Sequence, residues 1–177
     1  MTTADRMAVL DHGVVQQVGT PTELYDQPVN LFVAGFVGTT NLVPARLRAR
    51  DADAVVIAVD GVGDVRLPSD RVAPAGAALT LSFRPQALRI EAPGATRDPQ
   101  RQWLPAQVEA SEFLGEFTRY RMRLGGHPIA VDEPHHAGTL RHPPGTPVVV
   151  GLDPTQARLF AVTTAPQSAG AANEVRS

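Results

Sequence analysis

Four histidines, His127, His135, His136 and His142, lie close together in the chain, with Asp132 and Glu133 nearby. Imidazoles and carboxylates are zinc ligands, and a zinc site needs three or four of them converging at about 2.0–2.2 Å. The spacings here match no helical or finger pattern. Pro128, Pro134, Gly138, Pro143 and Pro144 crowd the same stretch, so the expectation is a solvated turn region without metal. A second constellation is Arg119, Arg121 and Arg123, which alternate with Tyr120, Met122 and Leu124. On a strand, this alternation puts the arginines on one face and the apolar residues on the other. A basic strip can follow a nucleic-acid backbone when aromatic residues supply stacking. Aromatics make up only 5% of this chain and its net charge is −2, so the strip is read as a solvated or partner-facing surface. All 16 basic residues are arginine, and cysteine is absent. A P-loop and Schiff-base chemistry both need lysine, and thiolate catalysis and disulfides need cysteine. None of these is available, and no catalytic, cofactor-binding or metal-ligating residue is assigned.

The elements that must position these residues change character along the 177-residue chain. Met7 to Leu10 and Val14 to Val18 read as a hairpin across Asp11-His12-Gly13, with Gly13 suited to positive φ. Thr20-Pro21-Thr22-Glu23 then supplies an N-cap, a proline at the first helical position and the glutamate of a capping box. Pro28 stops that helix. Asn30 caps a second short helix over 31–37, which Gly38 ends. Beyond Gly38, short alternating runs broken by Pro and Gly predict strands over 42–50, 54–60, 64–67, 79–83, 87–91, 106–112, 117–124, 129–132, 147–152 and 158–162. Strands at this spacing suggest a barrel or sandwich. Residues 93–102 read as a mobile loop with Trp103 in or beside it, and 164–177 as a disordered tail. No short-period repeat is visible, and no run is long enough to span a bilayer.

The stretch from Ala4 to Leu47, ADRMAVLDHGVVQQVGTPTELYDQPVNLFVAGFVGTTNLVPARL, resembles the end of the ATPase domain in importer-type ABC ATP-binding subunits of the polyamine, ferric-iron and sugar group. The remainder resembles the TOBE domain of the same family. The matching pieces are Asn41-Leu42-Val43-Pro44-Ala45-Arg46, Leu81-Ser82-Phe83-Arg84-Pro85, Phe113-Leu114-Gly115, Val150-Gly151-Leu152-Asp153-Pro154 and Phe160. The family often has Glu after the Arg-Pro pair, where this chain has Gln86. Gly38-Thr39-Thr40-Asn41 is more similar to polyamine and iron importers than to sugar importers.

The resemblance implies a mainly β fold, an OB-like barrel over 41–163, preceded by an α/β remnant of an ATPase domain over 1–40. It implies that the Walker motifs, the signature and the switch histidine lie upstream of Met1, and that the chain itself is not an enzyme and carries no cofactor. The expected function is a regulatory and dimerising C-terminal domain in ATP-driven uptake, of the polyamine or iron type. The expected partners are a second copy and, in full-length relatives, the ATPase domain and permease subunits. Nucleic acid and direct membrane insertion are not expected, and the expected location is cytoplasmic, at the transporter. Residues 31–38 are expected to form the joint. Related modules of molybdate systems bind an oxyanion between barrels, so Ser82, Ser111 and Thr118 are candidate donors for an alternative role as a stand-alone binding module. The apolar residues of the front segment, Met7, Val9, Leu10, Val14, Val15, Val18, Leu24, Tyr25, Leu31, Phe32, Phe36 and Val37, are expected to bury against the barrel or a second copy, and so to drive self-association through residues 1–38.

Overall fold

The structure, a computed structural model, describes residues 5–71, 78–136, 138 and 142–162. The predicted tail therefore lies outside the described residues. The front segment folds as the local signals dictate. β1 (Met7–Asp11) and β2 (Val14–Gly19) pair antiparallel. Their turn takes φ of 45° at His12 and 81° at Gly13. Two successive positive φ values match the twist of a tight hairpin. α1 (Pro21–Asp26) begins with the full capping box: Thr20 Oγ1 accepts from the Glu23 amide, and Glu23 accepts from the Thr20 amide. These bonds also lower the pKa of Glu23. α2 (Leu31–Phe36) is capped by Asn30, whose Oδ1 accepts from the Val33 amide. Val9, Leu24, Val33 and Val37 pack together as a small core of their own.

Ten further strands are found among the described residues. The first half gives β3 (Asn41–Arg50), β4 (Ala54–Val59), β5 (Gly63–Pro68), β6 (Leu79–Phe83) and β7 (Leu88–Glu91). The second half gives β8 (Gln102–Phe113), β9 (Phe117–Leu124), β10 (His127–Pro134), β11 (Pro147–Leu152) and β12 (Ala157–Ala161). One sheet has the order β12-β6-β3-β4-β5 and the other β10-β9-β8-β11-β7. The two halves follow the same plan, except that each sends its last strand into the other's sheet. The buried alternation of Tyr120, Met122 and Leu124 falls where the sequence puts it. Both sheets contribute to one contiguous apolar core, running from Val43 through Leu159.

The sequence shows no short repeat, yet the structure holds an internal two-fold relation. β3 and β8 each carry a bulge, between Leu47 and Ala49 and between Val108 and Ala110. Each also carries a proline, Pro44 or Pro105, where the strand pairs with one neighbour rather than two. Proline's missing N–H is tolerated at such places. The first residue of each strand reaches across to the opposite half. Asn41 Nδ2 donates to the Ala130 carbonyl at 2.8 Å and its Oδ1 accepts from the Ala130 amide at 2.7 Å. Gln102 makes the same paired contact with Arg66 of β5, accepting from its amide at 2.8 Å and donating to its carbonyl. Each amide side chain thus mimics a strand's backbone and occupies a polar group on the edge of β10 or β5. The β4–β5 and β9–β10 turns meet backbone to backbone at Gly61 and Gly125.

Three sequence expectations shift. β10 runs from His127 to Pro134 rather than over 129–132, so His127, Asp132 and Glu133 stand on a strand and not in a solvated turn region. β8 starts at Gln102 rather than 106, so Trp103 belongs to a strand. Pro105 fits inside the strand because it sits where only β11 pairs with β8. Strand 87–91 begins one residue later, after a 3-10 turn at Pro85–Ala87.

Candidate joint between the front segment and the barrel

The front segment meets the barrel through polar side chains. Both helices end with carbonyls that lack intrahelical donors, as any helix must. The barrel supplies the donors. Arg84, the residue after β6, donates from Nη1 to the carbonyls of Ala34, Gly38 and Thr39 at 2.9, 2.6 and 3.1 Å. Its Nη2 donates to the Tyr25 carbonyl at 3.3 Å. The same guanidinium lies 4.3 Å from the centroid of the Tyr25 ring. Arg158 Nε of β12 donates to the Asp26 carbonyl at 2.7 Å. Gln86 Nε2 donates to the Tyr25 hydroxyl at 2.6 Å. Hydrogen bonds to a charged group contribute about 1.5–3 kcal/mol each, and a guanidinium over an aromatic face adds to this. Burial pulls the pKa of Arg84 down, while the nearby Tyr25 and Asp26 oppose that shift.

Under the clamp, Ser82 is buried, and its hydroxyl lies 3.0 Å from Thr40 Oγ1. Arg158 stands opposite Ser82 in the β12–β6 register. These residues line a cleft of about 770 Å³ together with Asp26, Asp70, Arg101 and Asp153. Its carboxylates and guanidiniums are mixed, so no single sign of charge dominates. The front segment also leaves large apolar side chains in water. Leu10, Val14, Val15, Val18, Val29, Phe32 and Phe36 are exposed, with Val14 at 62% and Phe36 at 64%. The Phe32 and Phe36 rings stack at 5.9 Å between centroids.

The residues singled out by type do not converge. Ser82 lies in one sheet, while Ser111 and Thr118 lie in the other, on β8 and β9, where they pair with Tyr120 and Phe113 rather than with each other. His127 Nε2 is 3.1 Å from the Asp60 carbonyl. His135 meets the edge of the Phe113 ring at 4.8 Å, and His142 that of Tyr120 at 5.7 Å. Among the described residues, no three His, Asp or Glu side chains are grouped to hold a metal ion. In the arginine strip, Arg119 forms a two-pronged pair with Asp132 at 2.7 Å, which raises its pKa. Arg123 binds Glu109 at 2.8 Å. Arg121 has no ion pair among the described residues. Half-burial of Glu133 raises its pKa, against the opposing influence of His142 and Arg89. The clamp residues were missed as a site, although Arg84, Pro85 and Gln86 stood inside a noted motif. The signal available was an arginine directly after a buried strand, with no acidic residue beside it.

Two interleaved β halves closed around one core, with short helices clamped to one end, define a mainly β module of OB-like type. Residues 81–160 match the family model of the TOBE domain. The fold is shared with a cytoplasmic molybdate-binding protein, ModG, at a TM-score of 0.53 and 16% identity, covering 70% of this chain and 95% of that one.

The chain carries a TOBE domain and is a relative of importer-type ABC ATP-binding subunits. It is 38% identical over 142 residues to a spermidine/putrescine import ATP-binding protein of Pseudomonas aeruginosa, covering 80% of this chain and 36% of that protein. It is 32% identical over 141 residues to the spermidine/putrescine import ATP-binding protein of Thermotoga maritima, covering 79% of this chain and 38% of that one. With an sn-glycerol-3-phosphate import ATP-binding protein of Rhizobium johnstonii it shares 36% identity over 167 residues, covering 93% and 42%. The chain thus spans well under half the length of these relatives. Among the described residues, no helix is long and apolar enough to cross a membrane.

Proposed function

We propose that this chain is a regulatory and dimerising module of an importer ATP-binding subunit, serving ATP-driven solute uptake at the cytoplasmic face of a permease. On this reading residues 1–40 belong to the ATPase side and 41–163 to the TOBE barrel. The nucleotide machinery is not carried by these residues, since no lysine is present to reach a phosphate. Similarity to spermidine/putrescine import proteins, together with Gly38-Thr39-Thr40-Asn41, favours a polyamine solute over a sugar. The observation that carries the reading is the number of large apolar side chains that the front segment leaves exposed beside the barrel. Apolar area left in water costs roughly 25 cal/mol per Å², so a cluster of exposed apolar side chains favours a contact surface. In the chain by itself a second copy covers it.

Sedimentation of the chain from 1 to about 100 times a low micromolar concentration tests this, since mass action drives a dimer as concentration rises. A dimer that dissociates when Val14 and Phe36 are both changed to Ser supports the reading. A strictly monomeric species with an ordered front segment overturns it. Calorimetry with ATP and Mg²⁺ is expected to show no stoichiometric binding.

A further inference from the structure

The front segment and the barrel have separate cores, and polar contacts join them across the cleft. We infer that Arg84 is the positioning residue that sets the angle between these two bodies, and that removing its guanidinium frees the front segment while both bodies stay folded. Three features carry this. Arg84 reaches the ends of both helices: Tyr25 belongs to α1, Ala34 to α2, and Gly38 and Thr39 to the link into β3. One planar group therefore ties four carbonyls from three stretches of chain. Arg84 has no ion pair with a carboxylate among the described residues, so its charge serves carbonyl dipoles and the Tyr25 ring. Neither core cluster includes residues from both bodies, so apolar packing does not hold the angle independently.

Geometry also says why lysine would serve poorly. A guanidinium presents donors in a fixed plane, whereas an ammonium is a point charge with three donors on a flexible stem. Gln86 and Arg158 help from either side, with hydrogen bonds to Tyr25 and Asp26 of α1.

The inference deepens the proposed regulatory role, because a joint fixed by one side chain can pass a change in barrel contacts to the segment in front. Its test, however, reads the chain itself and stands apart from the oligomer measurement above. The chain has no cysteine, so two can be introduced cleanly for spin labels. Val14→Cys and Arg121→Cys place one exposed label on each body. Measurements are made dilute enough to keep one chain per particle. The label-to-label distance distribution is expected to be narrow with Arg84 present, to broaden at least twofold with Arg84→Met, and to fall between with Arg84→Lys. In parallel, amide exchange of peptides spanning 20–40 is expected to speed up at least tenfold in Arg84→Met, with peptides over 104–108, 120–124 and 148–152 unchanged. An unchanged distribution in Arg84→Met overturns the inference. So does equal acceleration in the barrel peptides, which would make Arg84 part of one cooperative unit rather than a joint.

Discussion

The contact between Gly61 and Gly125 gives the sharpest measurable consequence of the two-fold plan. A Cβ added at Gly125, where φ is +54°, would sit 2.5 Å from the Gly61 carbonyl carbon and oxygen and from Val62 Cγ2. Two of these three obstacles are backbone and cannot rotate away. Gly125→Ala therefore meets two costs. A left-handed conformation costs a non-glycine residue about 1–2 kcal/mol. Forcing a methyl group against a fixed neighbour costs about 1–3 kcal/mol more. The sum, roughly 2–5 kcal/mol, lowers the thermal midpoint of a chain this size by roughly 4–20 °C. The control is the next residue. Gly126 has φ of +94°, and an added Cβ there meets nothing within 4 Å. Gly126→Ala should carry the backbone cost alone. Midpoints by calorimetry for both variants give the contact term by difference. If the two substitutions cost the same, the turns do not touch as described, and the packing argument for the internal two-fold fails with them.

Other outcomes follow from the same structure. Asn41→Leu leaves the amide and carbonyl of Ala130 without their partners beneath a buried side chain. It should cost about 1–3 kcal/mol in urea unfolding, whereas Gln102→Leu, whose partner Arg66 is exposed, should cost clearly less because water replaces the lost bonds. Gly151→Ala drives a methyl group to within 2.7 Å of the Trp103 ring. As Trp103 is the sole tryptophan, a shift in its emission wavelength reads that displacement directly, and unaltered emission would count against it. Glu133 has a folded-state pKa raised by burial, so its contribution is fully present below the usual carboxylate pKa and is lost as pH rises through the raised value. Glu133→Gln should therefore increase stability at pH 7, with the gain vanishing in acid; the same gain at both pH values would contradict the assignment.

Much of the front segment was legible because its signals are local. A capping box, a proline at the first helical position and a two-residue turn each act within four residues, so the chain announces them regardless of what packs on top. The alternation along β9 was equally readable, since a strand with one buried face must alternate. The start of β8 was not, because a proline there reads as a break until the missing neighbour is known. The pieces Asn41-Leu42-Val43-Pro44-Ala45 and Gln102-Trp103-Leu104-Pro105-Ala106 do echo each other, with proline and alanine in step. That echo is too faint to declare a repeat, because the two halves share a fold while differing at most surface positions.

The sequence by itself determined that the chain is a mainly β molecule with a short capped helical front, that it lacks the lysine and cysteine of whole classes of chemistry, and that it resembles importer subunits. Those conclusions rest on composition and on neighbours along the chain. Tertiary structure alone decided the exchange of β7 and β12 between sheets, the Asn41 and Gln102 contacts, and the grip of Arg84 on four carbonyls. Each of these joins residues tens of positions apart. The donors and acceptors involved are mostly backbone groups, which every residue carries alike, so only their placement in space distinguishes a partner from any other peptide unit.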